Sequence, residues 1–200
     1  MSFKLIIVSV VFASVAWAQF GSNSEQGVNV GAVGGNVGYP NTGPYSFINF
    51  LNSLTEAQQN EFLSILGNKA STKRQTTTQV NAWLTKQSSQ IQANYKKCKT
   101  NEKNSVKEFK AKLDAAAAKN LTAEAKVVYD QIEAIKANQD ITKQQENDQI
   151  QQLLNNAKPE IKKAIAQIIV DVTMEEINKT LGPLINGNGG IKTPTFNFGK

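Results

Sequence analysis

The sequence predicts an all-α protein, a compact bundle of about five to seven helices between disordered flanks. Apolar residues recur three or four positions apart through the body of the chain, which is the helical period, and strand-like alternation is missing from the sequence. All of the 13 glycines except Gly67 lie in residues 19–44 or 182–200. The body of the chain therefore carries few residues that would interrupt helices.

Composition divides the chain into four segments. Residues 1–18 combine Lys4, an apolar run and a small-x-small site at 16–18, a pattern typical of a secretory signal peptide. Residues 19–44 are interpreted as a Gly-rich flexible arm, 45–181 as one helical domain and 182–200 as a flexible C-terminal tail. No stretch of the sequence reaches the roughly 18 apolar residues of a membrane span. We therefore expect a secreted, extracellular protein without a transmembrane segment.

The longest apolar series predicts either one very long helix near 78–118 or two nearly collinear helices interrupted near 87–89. Its members are Val80, Leu84, Ile91, Tyr95, Cys98, Val106, Phe109 and Leu113. Shorter series predict helices before and after it. Thr55, Thr122 and Thr142 are predicted N-caps, and a glutamine three residues after Thr55 and after Thr142 predicts capping boxes there.

The last helix is predicted to begin near Pro159 and to carry two apolar stripes. They consist of Ile161, Ile165, Ile168 and Val172, and of Val170, Met174, Ile177 and Leu181. A helix with two apolar faces has to bury both. The second face therefore packs within the chain, forms the seam of a homodimer, or lines a site for a lipid.

Histidine is missing from the 200 residues, which removes His-dependent triads and imidazole metal sites. The sequence also lacks a phosphate-binding loop, so we expect no enzymatic activity. The formal net charge is +6, or +5 once Lys4 leaves with the signal segment. Lysines are spread along the chain, apart from a small concentration at Lys96, Lys97 and Lys99, so we expect no nucleic-acid partner.

Cys98 is the single cysteine, so an intramolecular disulfide is impossible. It is interpreted as a half-buried helix residue because it belongs to the apolar series, although the neighbouring lysines can lower the pKa of a thiol and make it reactive. The alternative is an intermolecular disulfide, because an unpaired cysteine in an oxidising compartment often pairs with another chain. Two sequons, at Asn120 and Asn178, predict N-linked glycosylation and hence a glycoprotein.

One segment could bind a cation. Asn138, Asp140, Thr142 and Glu146 supply oxygen atoms within nine residues between two predicted helices. The segment fails as a standard EF-hand, because Lys143 replaces the glycine at the sixth position and the twelfth is not a carboxylate. It is therefore either a capped helix start or a weak site for a hard cation that keeps several waters, which suits Mg²⁺ better than Ca²⁺.

The order of motifs resembles that of the nematode SXP/RAL family of secreted antigens, which share a domain similar to the cation-binding domain of an Anisakis allergen. The resemblance covers about residues 45–175. It rests on Phe-Leu-Ser-Ile-Leu-Gly-Asn (62–68), Thr-Gln-Val-Asn-Ala-Trp-Leu (78–84), Leu-Thr-Ala-Glu-Ala-Lys (121–126), Asp-Ile-Thr-Lys-Gln-Gln (140–145), Ile-Gln-Gln-Leu-Leu (150–154) and Pro-Glu-Ile-Lys-Lys (159–163).

The resemblance implies a compact helical protein that is secreted or displayed at the worm surface and recognised by host antibodies. It also implies binding of a divalent cation, magnesium above calcium, and no known enzymatic activity. We therefore expect a secreted, non-catalytic, cation-binding interaction protein whose protein partner is unknown. The alternative is a secreted helical carrier of fatty acid or retinol, which the two-faced last helix suggests.

Overall fold

The computed structural model describes residues 46–181, excluding the side chains of the last two. This range contains seven helices and no strand, so the predicted all-α class is confirmed. They are α1 (Phe47–Asn52), α2 (Glu56–Leu66), α3 (Lys73–Leu84), α4 (Ser89–Asn120), α5 (Ala123–Ala137), α6 (Lys143–Asn156) and α7 (Pro159–Leu181). The predicted signal peptide, Gly-rich arm and C-terminal tail lie outside the described residues. Within the described range, no helix is both long and apolar enough to cross a membrane.

The long helix near 78–118 is interrupted, as one of the two sequence alternatives has it. α3 ends at Leu84 and α4 begins at Ser89, close to the predicted interruption. The Ser88 side chain accepts a weak hydrogen bond from the amide of Ile91 at 3.4 Å, in the manner of an N-cap. From there α4 runs for 32 residues.

The described part of the predicted domain at 45–181 divides into two compact units. The loop unit consists of residues 46–107 and 134–150, and the helix unit consists of residues 108–133 and 151–181. Helices α4, α5 and α6 each contribute residues to both units.

The loop unit has an aromatic core. The ring centroid of Phe62, which is 1% exposed, lies 5.3 Å from that of Phe50, 5.1 Å from that of Trp83 and 6.0 Å from that of Tyr95. Such tilted and edge-on pairs are favoured over face-to-face stacking. The Trp83 indole N–H donates to the Glu61 carboxylate at 2.9 Å, so the polar atom of the ring is satisfied.

The helix unit is built on apolar residues of α4, α5 and α7 and carries ion pairs at its surface. Lys112 bridges to the carboxylates of Glu175 and Glu176, and the buried Tyr129 donates its hydroxyl to Asp114 at 2.9 Å. Both apolar stripes of α7 are buried over their described side chains. They comprise Ile161, Ile165, Ile168, Val172, Val170, Met174 and Ile177. The face considered for a homodimer seam is thus covered in the single chain, and the homodimer stays a prediction.

All three predicted N-caps are confirmed. The Thr55 hydroxyl accepts from the main-chain amide of Gln58, and the Gln58 side-chain oxygen accepts from the main-chain amide of Thr55. The Thr122 hydroxyl accepts from the amide of Ala125 at 3.2 Å. Each bond satisfies an amide of the first helical turn that has no partner within its helix.

Candidate functional site

Two turns of the loop unit meet side by side. One joins α2 to α3 at residues 67–72, and the other joins α5 to α6 at residues 138–142. An isolated antiparallel bridge pairs Thr72 with Thr142. The amide of Lys73 donates to the carbonyl of Ile141 at 3.1 Å, and that of Arg74 to the carbonyl of Gln139 at 2.9 Å. The predicted cation segment is therefore one half of a paired structure.

The two turns are built alike at their first residues. The side-chain oxygen of Asn68 accepts from the amide of Ala70 at 3.1 Å, and that of Asn138 accepts from the amide of Asp140 at 3.0 Å. This Asx-turn bond replaces a main-chain bond and fixes the direction in which the chain leaves the preceding helix. One side-chain oxygen of the predicted ligand set is therefore already engaged in shaping the turn.

The two turns also end alike, in a capping box. The hydroxyl of Thr72 accepts from the amide of Gln75 at 3.2 Å, while the Gln75 side chain accepts from the amide of Thr72 at 2.8 Å. Thr142 and Gln145 exchange the same two bonds, at 3.1 and 2.8 Å. Thr142 thus acts as the predicted cap, and its hydroxyl oxygen is engaged like that of Asn138.

Sequence reasoning missed the turn at 67–72, although its signal is present. Asn-Lys-Ala-Ser-Thr-Lys-Arg-Gln (68–75) and Asn-Gln-Asp-Ile-Thr-Lys-Gln-Gln (138–145) share the asparagine of the Asx turn and the threonine and glutamine of the cap, together with the lysine between them. This repeat with an offset of 70 residues predicts two turns of the same geometry.

Asp140, the first predicted carboxylate ligand, forms a bidentate ion pair at the protein surface. Arg74 donates from Nε to Oδ1 at 2.6 Å and from Nη2 to Oδ2 at 3.1 Å. The side chains are 66% and 68% exposed. The hydrogen bond from the guanidinium and its charge lower the pKa of Asp140 below its usual value.

Glu146, the second predicted carboxylate, is buried and bound by two lysines. The Lys73 ammonium contacts Oε2, and Lys143 Nζ lies 3.2 Å from Oε1. The Lys73 ammonium also donates to the main-chain carbonyl of Lys136 at 2.6 Å, at the C-terminal end of α5, where carbonyl groups lack helical partners. Because the side chains of Lys73 and Glu146 are only 10% and 11% exposed, this ion pair is shielded from solvent.

The four predicted residues lie in one segment of the structure but do not form an open set of metal ligands. Asn138 and Thr142 shape the turn, and the carboxylates of Asp140 and Glu146 are held by cationic side chains. Over residues 46–181, no cluster of three or more Cys, Asp or Glu side chains is arranged to hold a metal ion. In the loop unit, the Lys73 ammonium performs what a bound cation would do: it neutralises a buried carboxylate and satisfies a carbonyl oxygen.

Cys98 is buried at 2% exposure in the core of the loop unit, more deeply than predicted. Burial raises the pKa of its thiol, the negative charge of Glu102 adds to this, and Lys99 opposes it. A disulfide to a second chain would require α4 to leave its packing, so the intermolecular disulfide stays a prediction that burial disfavours.

The two predicted glycosylation sites differ in their surroundings. Asn120 is exposed at the end of α4, where a glycan has room. Asn178 is half-buried inside α7. Glycosylation of both residues stays a prediction.

The fold and this site define a class of protein. It is an all-α protein in which two similar turns are joined by a bridge, and the carboxylates of Asp140 and Glu146 are neutralised by cationic side chains of the same chain. A family model described as SXP/RAL-2 family protein Ani s 5-like, metal-binding domain, matches residues 1–176. The chain belongs to this family, which confirms the resemblance drawn from its motifs. Neither the curated proteins nor the solved structures contain a match to the chain.

Proposed function

We propose that this chain is a secreted, non-catalytic protein that binds a divalent cation, Mg²⁺ in preference to Ca²⁺. The observation that carries the proposal is the match of residues 1–176 to a metal-binding domain family. The signal-peptide pattern at 1–18 supports secretion or display at the worm surface, where host antibodies would meet the protein. The lack of histidine supports a non-catalytic role.

Asp140 is the carboxylate at which such a cation would bind. It is exposed, and its partner Arg74 is exposed to the same extent, so releasing the ion pair costs little stability. Glu146 is different, because removing its lysines would leave a buried charge without compensation. The cation would therefore exchange with the Arg74 guanidinium at Asp140. The Asn138 amide oxygen, which accepts from the Asp140 amide with one lone pair, has a second lone pair for the ion.

A site of this kind favours magnesium. One exposed carboxylate and one amide oxygen are far from the six to eight oxygen ligands that Ca²⁺ takes, whereas Mg²⁺ commonly keeps several waters and binds through one or two carboxylates. Because the ion has to compete with Arg74, the binding is weak and decreases with ionic strength.

Calorimetric titration of the full chain with MgCl₂ and with CaCl₂ tests the proposal. Asp140→Asn should weaken Mg²⁺ binding, because it removes the charged ligand. Arg74→Gln should strengthen it, because it removes the competing cation. Asp171→Asn, a change of the same type at an exposed position of α7, serves as the matched control and should leave the affinity unchanged. Equal heats for the wild type and Asp140→Asn would contradict the assignment.

A carrier of fatty acid or retinol is the second candidate function. It depends on the second apolar stripe of α7, of which Val170, Met174 and Ile177 are buried in a cluster of their own. A ligand would have to replace the present packing of that cluster. Displacement of a fluorescent fatty acid by retinol or oleate would support the carrier, and an unchanged fluorescence signal would remove it.

A further inference from the structure

The exposed face of α4 carries a row of lysines. Lys96, Lys103 and Lys107 are exposed and follow one another at intervals of seven and four residues. At about 100° per residue these intervals bring the three residues within roughly 40° of one another around the helix. The row therefore runs along the helix axis for about 16 Å. Lys99 flanks it on the same side and is partly neutralised by Glu102.

The charges of this row are not neutralised by any carboxylate in the part of the chain that the structure describes. Within residues 46–181, Lys96, Lys103 and Lys107 form no ion pair. Other lysines of the described range do pair with carboxylates, including Lys126 with Asp130 and Lys158 with Glu124. Lysines are concentrated in this part of α4, and the helix brings these three to one side.

We propose that this face of α4, the lysine row, binds a linear sulfated polysaccharide. Separate ammonium groups along one helix match an extended polymer that bears regularly spaced anions. The polymers of this charge that a secreted protein meets are glycans, so the inference rests on the secretion part of the proposed function. It is independent of cation binding at Asp140.

The composition of the lysine row disfavours the other polyanions. Single-stranded nucleic acids are held by aromatic rings on which bases stack, and the row contains none. It also lacks arginine, the residue that most often reads base edges in duplex DNA. An interfacial membrane helix inserts its apolar face, but Cys98 and Tyr95 on the inner face of α4 pack in the core of the loop unit.

The experiment measures binding of the full chain to a size-defined heparin oligosaccharide at several NaCl concentrations. The test variant is Lys96→Gln/Lys103→Gln/Lys107→Gln. The matched control is Lys69→Gln/Lys86→Gln/Lys163→Gln, which removes the same charge from exposed positions outside the lysine row. Circular dichroism checks that all three proteins are folded.

The test variant should bind at least about tenfold more weakly near 0.15 M NaCl. Its slope of log Kd against log salt should fall by roughly three, one for each lysine removed. The control should retain both values. An equal loss in the two variants would mean that only net charge matters and would overturn the proposal. So would stronger binding to duplex DNA or to phosphatidylserine vesicles than to heparin. If the wild-type chain binds heparin but shows no Mg²⁺ binding in the calorimetric titration, only the cation proposal is overturned.

Discussion

The turn at 67–72 and the turn at 138–142 share one backbone design and carry opposite charges. With the offset of 70 residues, Ala70 corresponds to Asp140, and Thr76, just after the first turn, corresponds to Glu146. The cations come from the start of α3, directly after the first turn, because Lys73 and Arg74 reach the carboxylates of Glu146 and Asp140. The repeated asparagine, threonine and glutamine thus specify the shape of each turn. The electrostatic attraction comes from Arg74, Asp140 and Glu146, which differ between the two segments, together with the repeated Lys73.

The two ion pairs that join the turns differ as well. Lys73–Glu146 is nearly buried, whereas Arg74–Asp140 is exposed. A buried pair is expensive to break because the remaining charge loses its compensation, and an exposed pair is cheap because water replaces the partner. The first pair therefore serves stability, and the second is the one that the proposed Mg²⁺ ion would replace at little cost.

The largest loss of stability is expected for Lys73→Met. The variant leaves the buried Glu146 with the exposed Lys143 alone and removes the donor to the Lys136 carbonyl. We expect the free energy of unfolding to fall by about 2–3 kcal/mol, measured by urea denaturation. Lys143→Met, whose side chain is 60% exposed, should cost less than about 1 kcal/mol.

A second variant separates loss of the pair from loss of packing. Lys73→Met combined with Glu146→Leu removes both charges and should recover most of the stability. If the double variant is as unstable as Lys73→Met, the penalty does not come from an uncompensated carboxylate.

The next effect concerns the two caps. Thr72→Ala and Thr142→Ala should each lower the free energy of unfolding by about 1 kcal/mol, because each removes the same acceptor from a capping box. Thr55 also forms a capping box but takes no part in the bridge, so Thr55→Ala measures the stability lost with a cap alone. A clearly unequal loss at Thr72 and Thr142 would show that the two turns are not equivalent in energy.

The smallest effect on stability is expected for loss of the exposed Arg74–Asp140 pair, whose removal shifts the pKa of Asp140. Because the pKa of Asp140 in the folded protein lies below its unfolded value, its ion pair contributes above the unfolded pKa and is lost as the pH falls through the folded one. Arg74→Gln should raise the pKa of Asp140 toward its ordinary value in an NMR titration and lower the urea midpoint at pH 7 only slightly, because the pair is exposed. The carboxyl of Asp114, with its own partners Lys110 and Tyr129, should not respond.

Features that depend on neighbouring residues were predictable from the sequence. The all-α class, the interruption before Ser89 and the three caps follow from helical periodicity and from residues three positions apart. The pairing of the turns was not predictable in the same way, because Arg74 and Asp140 are 66 residues apart. The residues at 138–146 carry no signal that Lys73 and Arg74, from another helix, hold the two carboxylates.

Cys98 illustrates the same limit at shorter range. Lys97 and Lys99 adjoin it in sequence and suggested a lowered thiol pKa. In a helix, however, successive residues point about 100° apart, so both lysines are directed away from a cysteine that faces the core. Burial then dominates, and the pKa of the thiol is raised.

The bridge between Thr72 and Thr142 also bears on the order of folding. It joins residues that are 142 − 72 = 70 positions apart, so the chain between them must be gathered before the two turns can meet. The capping boxes, by contrast, close within four residues and can form in an isolated turn. Contacts of such long range form late, because the entropy of loop closure is lost before they contribute. The amide protons of Lys73 and Arg74, which point across the bridge, consequently acquire protection from solvent exchange only when the loop unit is assembled.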